Sequence, residues 1–114
     1  MMTDRADESG RAAEVDEVIV ALADPTRRRI LDVIAAHGEA TATTLAAELP
    51  VSRQAVVKHL AVLDRSGLVQ GRRQGREVLY AVRPDRLDAT ARWMAGLAAK
   101  WEARLAGIKR LAER

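Results

Sequence analysis

The sequence contains no cysteine, no run of about eighteen apolar residues, and no charged leader followed by an apolar segment and a small-residue cleavage site. Without cysteine, it offers no thiol for a disulfide or for a thiolate metal ligand. We expect no membrane partner and a cytoplasmic location, because neither a membrane span nor a leader is recognisable. At 114 residues, the chain predicts a single domain, near the size at which oligomerisation often adds stability.

Charge is unevenly distributed along the chain, although the net charge is only +3. Residues 1–17 contain six acids and two arginines, which gives −4, so the remainder carries +7. Residues 53–76 alone contain six cations and one acid, Asp64. A basic block of this kind indicates a polyanionic partner, and we expect double-stranded DNA.

The segment from Ser52 to Arg65 is the one around which the rest of the chain is organised. Ser52 can cap a helix, and Gly67 suits the left-handed residue that ends one, so we predict a helix over about 53–65. An i, i+4, i+7 stripe predicts a core-facing side made of Ala55, Val56, Leu60 and Leu63. The opposite side then carries Arg53, Gln54, Val57, Lys58 and Ala61. Arg and Gln can read guanine and adenine edges, so we interpret this as a DNA-reading helix rather than an ordinary solvated one.

Three helices are predicted before the reading helix. Residues 1–12 have no apolar period and predict a disordered acidic arm, whereas apolar spacing over residues 13–23 predicts a first helix. Asp24 and Pro25 suit the cap and first position of a second helix, which runs to about His37. Arginines 27–29 in its first turns are either solvated or engaged with phosphate or acidic groups. Thr41 can cap a short third helix over 42–49, and the turn after it gives helix-turn-helix spacing.

After Gly67 the apolar period changes from that of a helix to that of a strand. Residues 68–69 and 78–82 predict two strands, joined by residues 72–76 with Gly75 in the turn. A basic hairpin tip beside a reading helix is typical of a wing that contacts a minor groove or the DNA backbone.

A long last helix is predicted over about 85–112. Its apolar residues repeat by threes and fours for more than three heptads. A helix this long extends beyond the rest of the domain, so we expect it to join a second chain, with packing inside one chain as the alternative. The residues expected at the dimer seam, from the first and last helices, are Val15, Val18, Ile19, Leu22, Met94, Leu97, Trp101, Leu105 and Ile108.

Four linked motifs resemble one known family. Residues 22–31 read LADPTRRRIL, residues 51–63 VSRQAVVKHLAVL, residues 66–69 SGLV and residues 75–80 GREVLY. Together they are similar to the bacterial ArsR/SmtB-type winged-helix repressors, in order and spacing over residues 15–82. The resemblance implies a mainly α fold of five helices with a small β-hairpin, the winged helix-turn-helix. It also implies a homodimer that binds a palindromic operator and represses its own operon.

The DNA-contacting residues follow from the reading helix, the wing and the start of the third helix. Thr43 and Thr44 are included because hydroxyls at a helix start commonly meet phosphate, although a purely local role fits them equally well. His59 either donates to a phosphate or fills a helix boundary. The expected set is Thr43, Thr44, Ser52, Arg53, Gln54, Val57, Lys58, His59, Arg72, Arg73, Gln74 and Arg76.

The metal sites of the family do not carry over. Residues 41–48 read TATTLAAE, without the thiols that many members use near the third helix. The last helix has no histidine, and after Asp88 its only acids are Glu102 and Glu113. We therefore expect no metal or other cofactor, and the inducer stays unknown.

We expect a sequence-specific dimeric repressor and not an enzyme, because no nucleophile or acid-base pair occupies a recognisable site. Two alternatives stay open. One is a protein-interaction module that uses the winged helix only as a dimer scaffold. The other is a small-molecule-responsive regulator with a pocket near the dimer seam, walled by Trp93 and Trp101.

Overall fold

The computed structural model describes the backbone of residues 2–113 and the side chains of residues 10–113. Five helices and one antiparallel hairpin follow one another along the described chain, which confirms the predicted mainly α fold. They are α1 (Met2–Leu22), α2 (Pro25–His37), α3 (Ala42–Glu48), α4 (Arg53–Arg65), β1 (Val69–Gln74), β2 (Glu77–Val82) and α5 (Asp85–Ala112). None of the described helices is both long enough and apolar enough to cross a membrane.

The predicted caps set the starts of the three central helices. The side chains of Asp24, Thr41 and Ser52 accept hydrogen bonds from backbone N–H groups in the first turns of α2, α3 and α4, at 2.8, 3.1 and 3.1 Å. Each bond satisfies a backbone donor that has no partner within its helix. Gly67 follows α4 with φ +77°, the left-handed conformation expected there.

Two element boundaries differ from the sequence predictions. The first helix begins at Met2 rather than at residue 13, and the side chains of residues 2–9, within the predicted disordered arm of residues 1–12, lie outside the described part of the chain. Strand β1 runs to Gln74, so residues 72–74 belong to the strand, and the connection is only Gly75 and Arg76.

One apolar core joins the helices and the base of the hairpin. Helices α3 and α4 both contact α2, and Leu87 at the start of α5 packs against the same cluster. The buried apolar residues of this core are Val18, Ala21, Ile30, Leu31, Ile34, Ala40, Leu45, Val56, Leu60, Leu63, Leu68 and Val69.

The hairpin is attached to the helical core by one isolated antiparallel bridge between Ala40 and Tyr80. The Ala40 backbone N–H donates to the Tyr80 carbonyl at 3.0 Å, and the Tyr80 N–H donates to the Ala40 carbonyl at 2.8 Å. Gly71 pairs with Tyr80, and a Cβ on Gly71 would lie 3.1 Å from Cε1 of the Tyr80 ring. The absence of a side chain at Gly71 therefore lets the ring cross β1, and the wing leaves the core in a fixed direction.

Two of the three arginines at the start of α2 hold the end of α1. Arg27 donates from Nε to the Ala21 carbonyl at 2.7 Å and from Nη2 to the Val20 carbonyl at 3.0 Å. Arg28 donates to the Leu22 carbonyl at 2.6 Å. These guanidinium groups donate to carbonyls in the last turn of α1, and their charge suits its negative dipole end. The sequence left Arg27 and Arg28 either solvated or engaged with phosphate or acidic groups, and the structure shows that both donate hydrogen bonds to backbone carbonyls.

Candidate nucleic-acid interface

The predicted reading face of α4 is exposed. Arg53, Gln54, Val57 and Lys58 all lie in solvent, and Val57 is 46% exposed. The opposite side is fixed in the core by Val56, Leu60 and Leu63, as the apolar spacing predicted. An α-helix with side chains is about 10–12 Å wide, and a B-DNA major groove is about 12 Å wide, so this free face can enter the groove.

The start of α3 lies beside the start of α4. Thr43 is exposed, and Nε of Arg53 lies 3.4 Å from its Oγ1. The hydroxyl of Thr44 instead lies 3.1 Å from that of Thr41, and its side chain is half-buried. Of the two threonines, Thr43 is the one that presents a free surface next to a reading-helix arginine.

A groove of 200 Å³ separates these two helix starts from the wing. Arg53 and Arg76 line it together with Thr43, while Val57 and Tyr80 form apolar parts of its wall. Glu77 supplies one acid. Two guanidinium groups therefore converge from the reading helix and the wing tip on one narrow space, which suits a phosphate group.

Strand alternation separates the wing arginines onto two faces. Arg73 is paired with Val78, which lines the groove beside α4, so these two residues share the face toward the reading helix. Arg72 is paired with Leu79 on the other face, together with Gln74. Gly75 occupies the first turn position with φ +63°, as a two-residue type II′ hairpin turn favours, and Arg76 follows it at the tip.

Arg72 is engaged within the protein. Its Nε lies 3.0 Å and its Nη2 3.2 Å from the two carboxylate oxygens of Glu39, in a bidentate ion pair. Both side chains are partly exposed, at 58% and 41%. The structure therefore does not bring Arg72 together with Arg73 and Arg76, although the sequence grouped all three in one wing.

His59 lies half-buried at the flank of α4, toward the cap of α2. The Asp24 carboxylate there has a pKa below its ordinary value, chiefly because the Arg27 backbone N–H donates to it, and the nearby His59 adds a smaller electrostatic contribution. This position favours the helix-boundary role of His59 over a phosphate contact. Ser52 uses its side chain as the α4 cap.

His37, near the end of α2, is held by an acid of α3. Its Nε2 lies 2.7 Å from Oε1 of Glu48, and both side chains are exposed. Across residues 10–113, no three His, Asp or Glu side chains come together in a group that could hold a metal ion.

The predicted dimer residues fall into three groups, buried, half-buried and exposed. Val15 and Val18 are 6% and 0% exposed within one protomer, because α1 packs on α2 and α5, so they have almost no surface left for a second chain. Within one protomer these two side chains are therefore core residues. Leu22 and Leu97 are half-buried. The exposed apolar residues that remain from the set are Ile19, Met94, Trp101, Leu105 and Ile108.

Arg86 is a residue that the sequence analysis missed. From the first turn of α5, it lies 3.7 Å from the Glu14 carboxylate and 3.5 Å from that of Glu17, both on α1. Its Nη1 is also 3.5 Å from the carbonyl oxygen of Arg65, the last residue of α4. The two ion pairs join residues that are 72 and 69 positions apart in the chain. Only the opposite charges of these residues in the sequence could have indicated such contacts.

Comparisons with known proteins agree with this geometry. A helix-turn-helix domain family matches residues 22–72. The transcriptional repressor SdpR of Bacillus subtilis is 30% identical over 80 residues, which cover 70% of this chain and 88% of SdpR. An ArsR-like transcriptional regulator from Rhodococcus sp. RHA1 has 43% identity and a TM-score of 0.81, with 90% of this chain and 96% of that one covered.

A third match adds an assembly. The homodimeric winged helix-turn-helix DNA-binding domain of Mb0332 from Mycobacterium bovis, a possible ArsR-family regulator, has 27% identity and a TM-score of 0.61. The match covers 84% of each chain.

Proposed function

Because the chain belongs to the ArsR/SmtB family of winged helix-turn-helix transcriptional regulators, we propose that it is a dimeric repressor that binds an inverted-repeat operator. Regulators of this family bind DNA and are not enzymes. The observation that carries the proposal is the exposed basic face of α4, aligned with the groove between α3 and the wing. The homodimeric Mycobacterium bovis domain and the repressor SdpR support the assembly and the sign of regulation.

Within α4, the geometry supports different roles for neighbouring residues. Arg53 lies next to Thr43 and lines the groove with Arg76, so we assign it to a phosphate. Gln54 and Lys58 point outward along the centre of the reading face and are the candidates for base edges. Specificity then depends on Gln54 and Lys58, whereas Arg53 and Thr43 set the position of the helix on the duplex.

The dimer is supported by the apolar face of α5. The helix has 28 residues, a length of about 42 Å, and among the described residues its buried or core-packed side chains, Leu87 and Thr90, lie in its first half. Trp101, Leu105 and Ile108 are 58%, 66% and 63% exposed, in one stripe. A contiguous apolar stripe of this kind marks an interaction surface, and a second copy of α5 offers the matching apolar face of a two-fold dimer.

A two-fold dimer predicts the arrangement of the operator. Two copies of α4 enter successive major grooves about 34 Å apart, so the half-sites are inverted and one helical turn apart. The wings contact the flanking backbone. When the operator overlaps the promoter of the protein's own operon, binding of the protein represses that operon. The protein then acts on DNA in the cytoplasm.

Selection of bound duplexes from a random DNA pool tests this proposal. At roughly 0.15 M salt, electrostatic background is screened, and we expect enrichment of an inverted repeat. The selected sequence is then sought upstream of the gene. Binding without any enriched sequence would contradict the proposal and favour a protein-interaction role.

Two substitutions separate the assigned roles. Gln54→Ala is expected to cost about 1–3 kcal/mol of binding free energy and to relax one operator position. Arg53→Ala is expected to weaken binding to all sequences alike. Arg110→Ala removes an arginine near the far end of α5 and is the matched control, with binding unchanged. Position-specific relaxation by Arg53→Ala would reverse the assignment.

Assembly is tested separately from DNA binding. Leu105→Glu places a charge in the exposed stripe, and sedimentation at micromolar concentration is expected to show a monomer. Arg110→Glu changes charge on the opposite side of the same helix and is expected to leave the dimer intact. A monomeric unmodified chain would exclude the two-fold arrangement.

A further inference from the structure

A cavity of 520 Å³ lies between α1 and the first three turns of α5, away from the DNA-reading face. Its volume falls within the range of about 300–1,000 Å³ that small-molecule sites occupy. Val15 and Ala89 form its apolar floor, and Trp93, which is 44% exposed, forms one wall. A tryptophan wall over small apolar residues suits a flat aromatic group.

The charges around this cavity favour an anion. Of the residues whose side chains the structure describes, Arg11, Arg86 and Arg92 line it together with one acid, Glu14. Arg86 is already paired with Glu14 and Glu17. Arg92 is exposed and lines the cavity beside Trp93.

We propose that this cavity binds a small aromatic carboxylate, with the ring against Trp93 and the carboxylate on Arg92. A planar guanidinium binds a carboxylate in a bidentate manner, and the apolar floor excludes water from one side of the ring.

The cavity is connected to the reading helix through Arg86. Besides lining the cavity, Arg86 lies 3.5 Å from the Arg65 carbonyl, and its Cδ is 2.5 Å from the position of a Cβ on Gly67. The negative charge of a ligand held by Arg92 also attracts Arg86, which lines the same cavity, and so changes the contact of Arg86 at the end of α4. The ligand is therefore expected to weaken DNA binding, and DNA to weaken ligand binding by the same factor. This second step rests on the proposed DNA-binding function.

Calorimetric titration of the DNA-free chain tests the cavity. The probes are 1-naphthoate and its neutral analogue 1-naphthalenemethanol. We expect 1-naphthoate to bind in about the millimolar to micromolar range, and the alcohol more weakly. Equal affinity for the two probes, or no binding of 1-naphthoate at millimolar concentration, would overturn the proposal.

Variants locate the bound probe. Arg92→Gln is expected to weaken 1-naphthoate about tenfold, the size of one charge-assisted hydrogen bond, and to leave the alcohol unchanged. Arg92→Lys is expected to retain only part of the affinity, because lysine keeps the positive charge but not the bidentate geometry, while Trp93→Ala weakens both probes. Arg110→Gln is the control and leaves both unchanged. If the Arg92→Gln variant binds 1-naphthoate as tightly as the unmodified chain does, the proposed site is also overturned.

A second titration, with DNA present, tests the coupling. If 1-naphthoate binds the free chain but leaves DNA affinity unchanged, the coupling through Arg86 is refuted and the cavity site stands. A chain that binds 1-naphthoate but not DNA would refute the proposed function instead.

Discussion

The wing offers the sharpest prediction, because its three arginines differ in what they contact. Arg76 lines the groove beside α4, and Arg73 lies on the same face as Val78. Arg72 lies on the other face, in a bidentate pair with Glu39 at 3.0 and 3.2 Å. We predict that Arg76→Gln and Arg73→Gln remove phosphate contacts and that Arg72→Gln removes none.

The size of the effect follows from counterion release. Each phosphate contact contributes about 0.9 to the slope of log affinity against log salt concentration. Losing one contact per protomer therefore lowers the slope by about 0.9 per bound protomer. Arg72→Gln leaves the slope unchanged and costs at most about 1 kcal/mol of stability, the usual value of an exposed ion pair.

Fluorescence anisotropy of a labelled duplex at several salt concentrations measures this slope, and it works without knowledge of the operator. Glu39→Gln is the matched control, because it removes the same ion pair while retaining the Arg72 cation. An equal loss of slope in Arg72→Gln and Arg76→Gln would refute the assignment of the two wing faces.

Three further predictions concern stability and are read by urea denaturation. Arg27→Ala is expected to lower the free energy of unfolding by about 2 kcal/mol, because two guanidinium hydrogen bonds to the end of α1 are lost. The control Arg29→Ala removes an exposed side chain and is expected to change it by no more than about 0.5 kcal/mol. Equal effects of the two substitutions would contradict the capping role of Arg27. Gly67→Ala is expected to cost about 1–2 kcal/mol from its positive φ, with Arg86 displaced by the new Cβ, and an unchanged stability would refute this strain. The pKa of Asp24 in the folded chain lies below its ordinary value of 3.8, so the ionised carboxylate stabilises the fold above pH 3.8. This stabilisation is lost as the pH falls through the lower pKa of the folded state. The stability advantage over Asp24→Asn should therefore shrink below that pH, and a constant difference would exclude the linkage.

Local chemistry made most of the fold predictable. The caps Asp24, Thr41 and Ser52 act on backbone groups two or three residues away, and the apolar stripe of α4 depends only on its own spacing. Such signals are complete within a short window of sequence, so the starts of α2, α3 and α4 and the buried side of α4 are where they were expected.

The remaining features depend on residues that are distant in the chain. Glu39 and Arg72 are 33 positions apart, and Arg86 is 69 positions from Glu17. Strand β1 extends through polar residues because pairing with β2 satisfies its backbone, which apolar alternation could not reveal. In the same way, the packing of α1 on α5 decided that Val15 and Val18 belong to the protomer core.

The fold also reduces the number of cations within residues 53–76 that can contact DNA. Of the six cations in this range, Arg72 is paired with Glu39, and Arg65 lies in a groove with Asp16 and Glu17 near the end of α4. The four that remain are Arg53, Lys58, Arg73 and Arg76. With Lys58 assigned to a base edge, phosphate contacts from the other three cations in both protomers of a dimer would give a salt slope of about −5, whereas six cations per protomer would give about −11. The measured slope therefore distinguishes the cations that face DNA from those that only contribute to the formal charge.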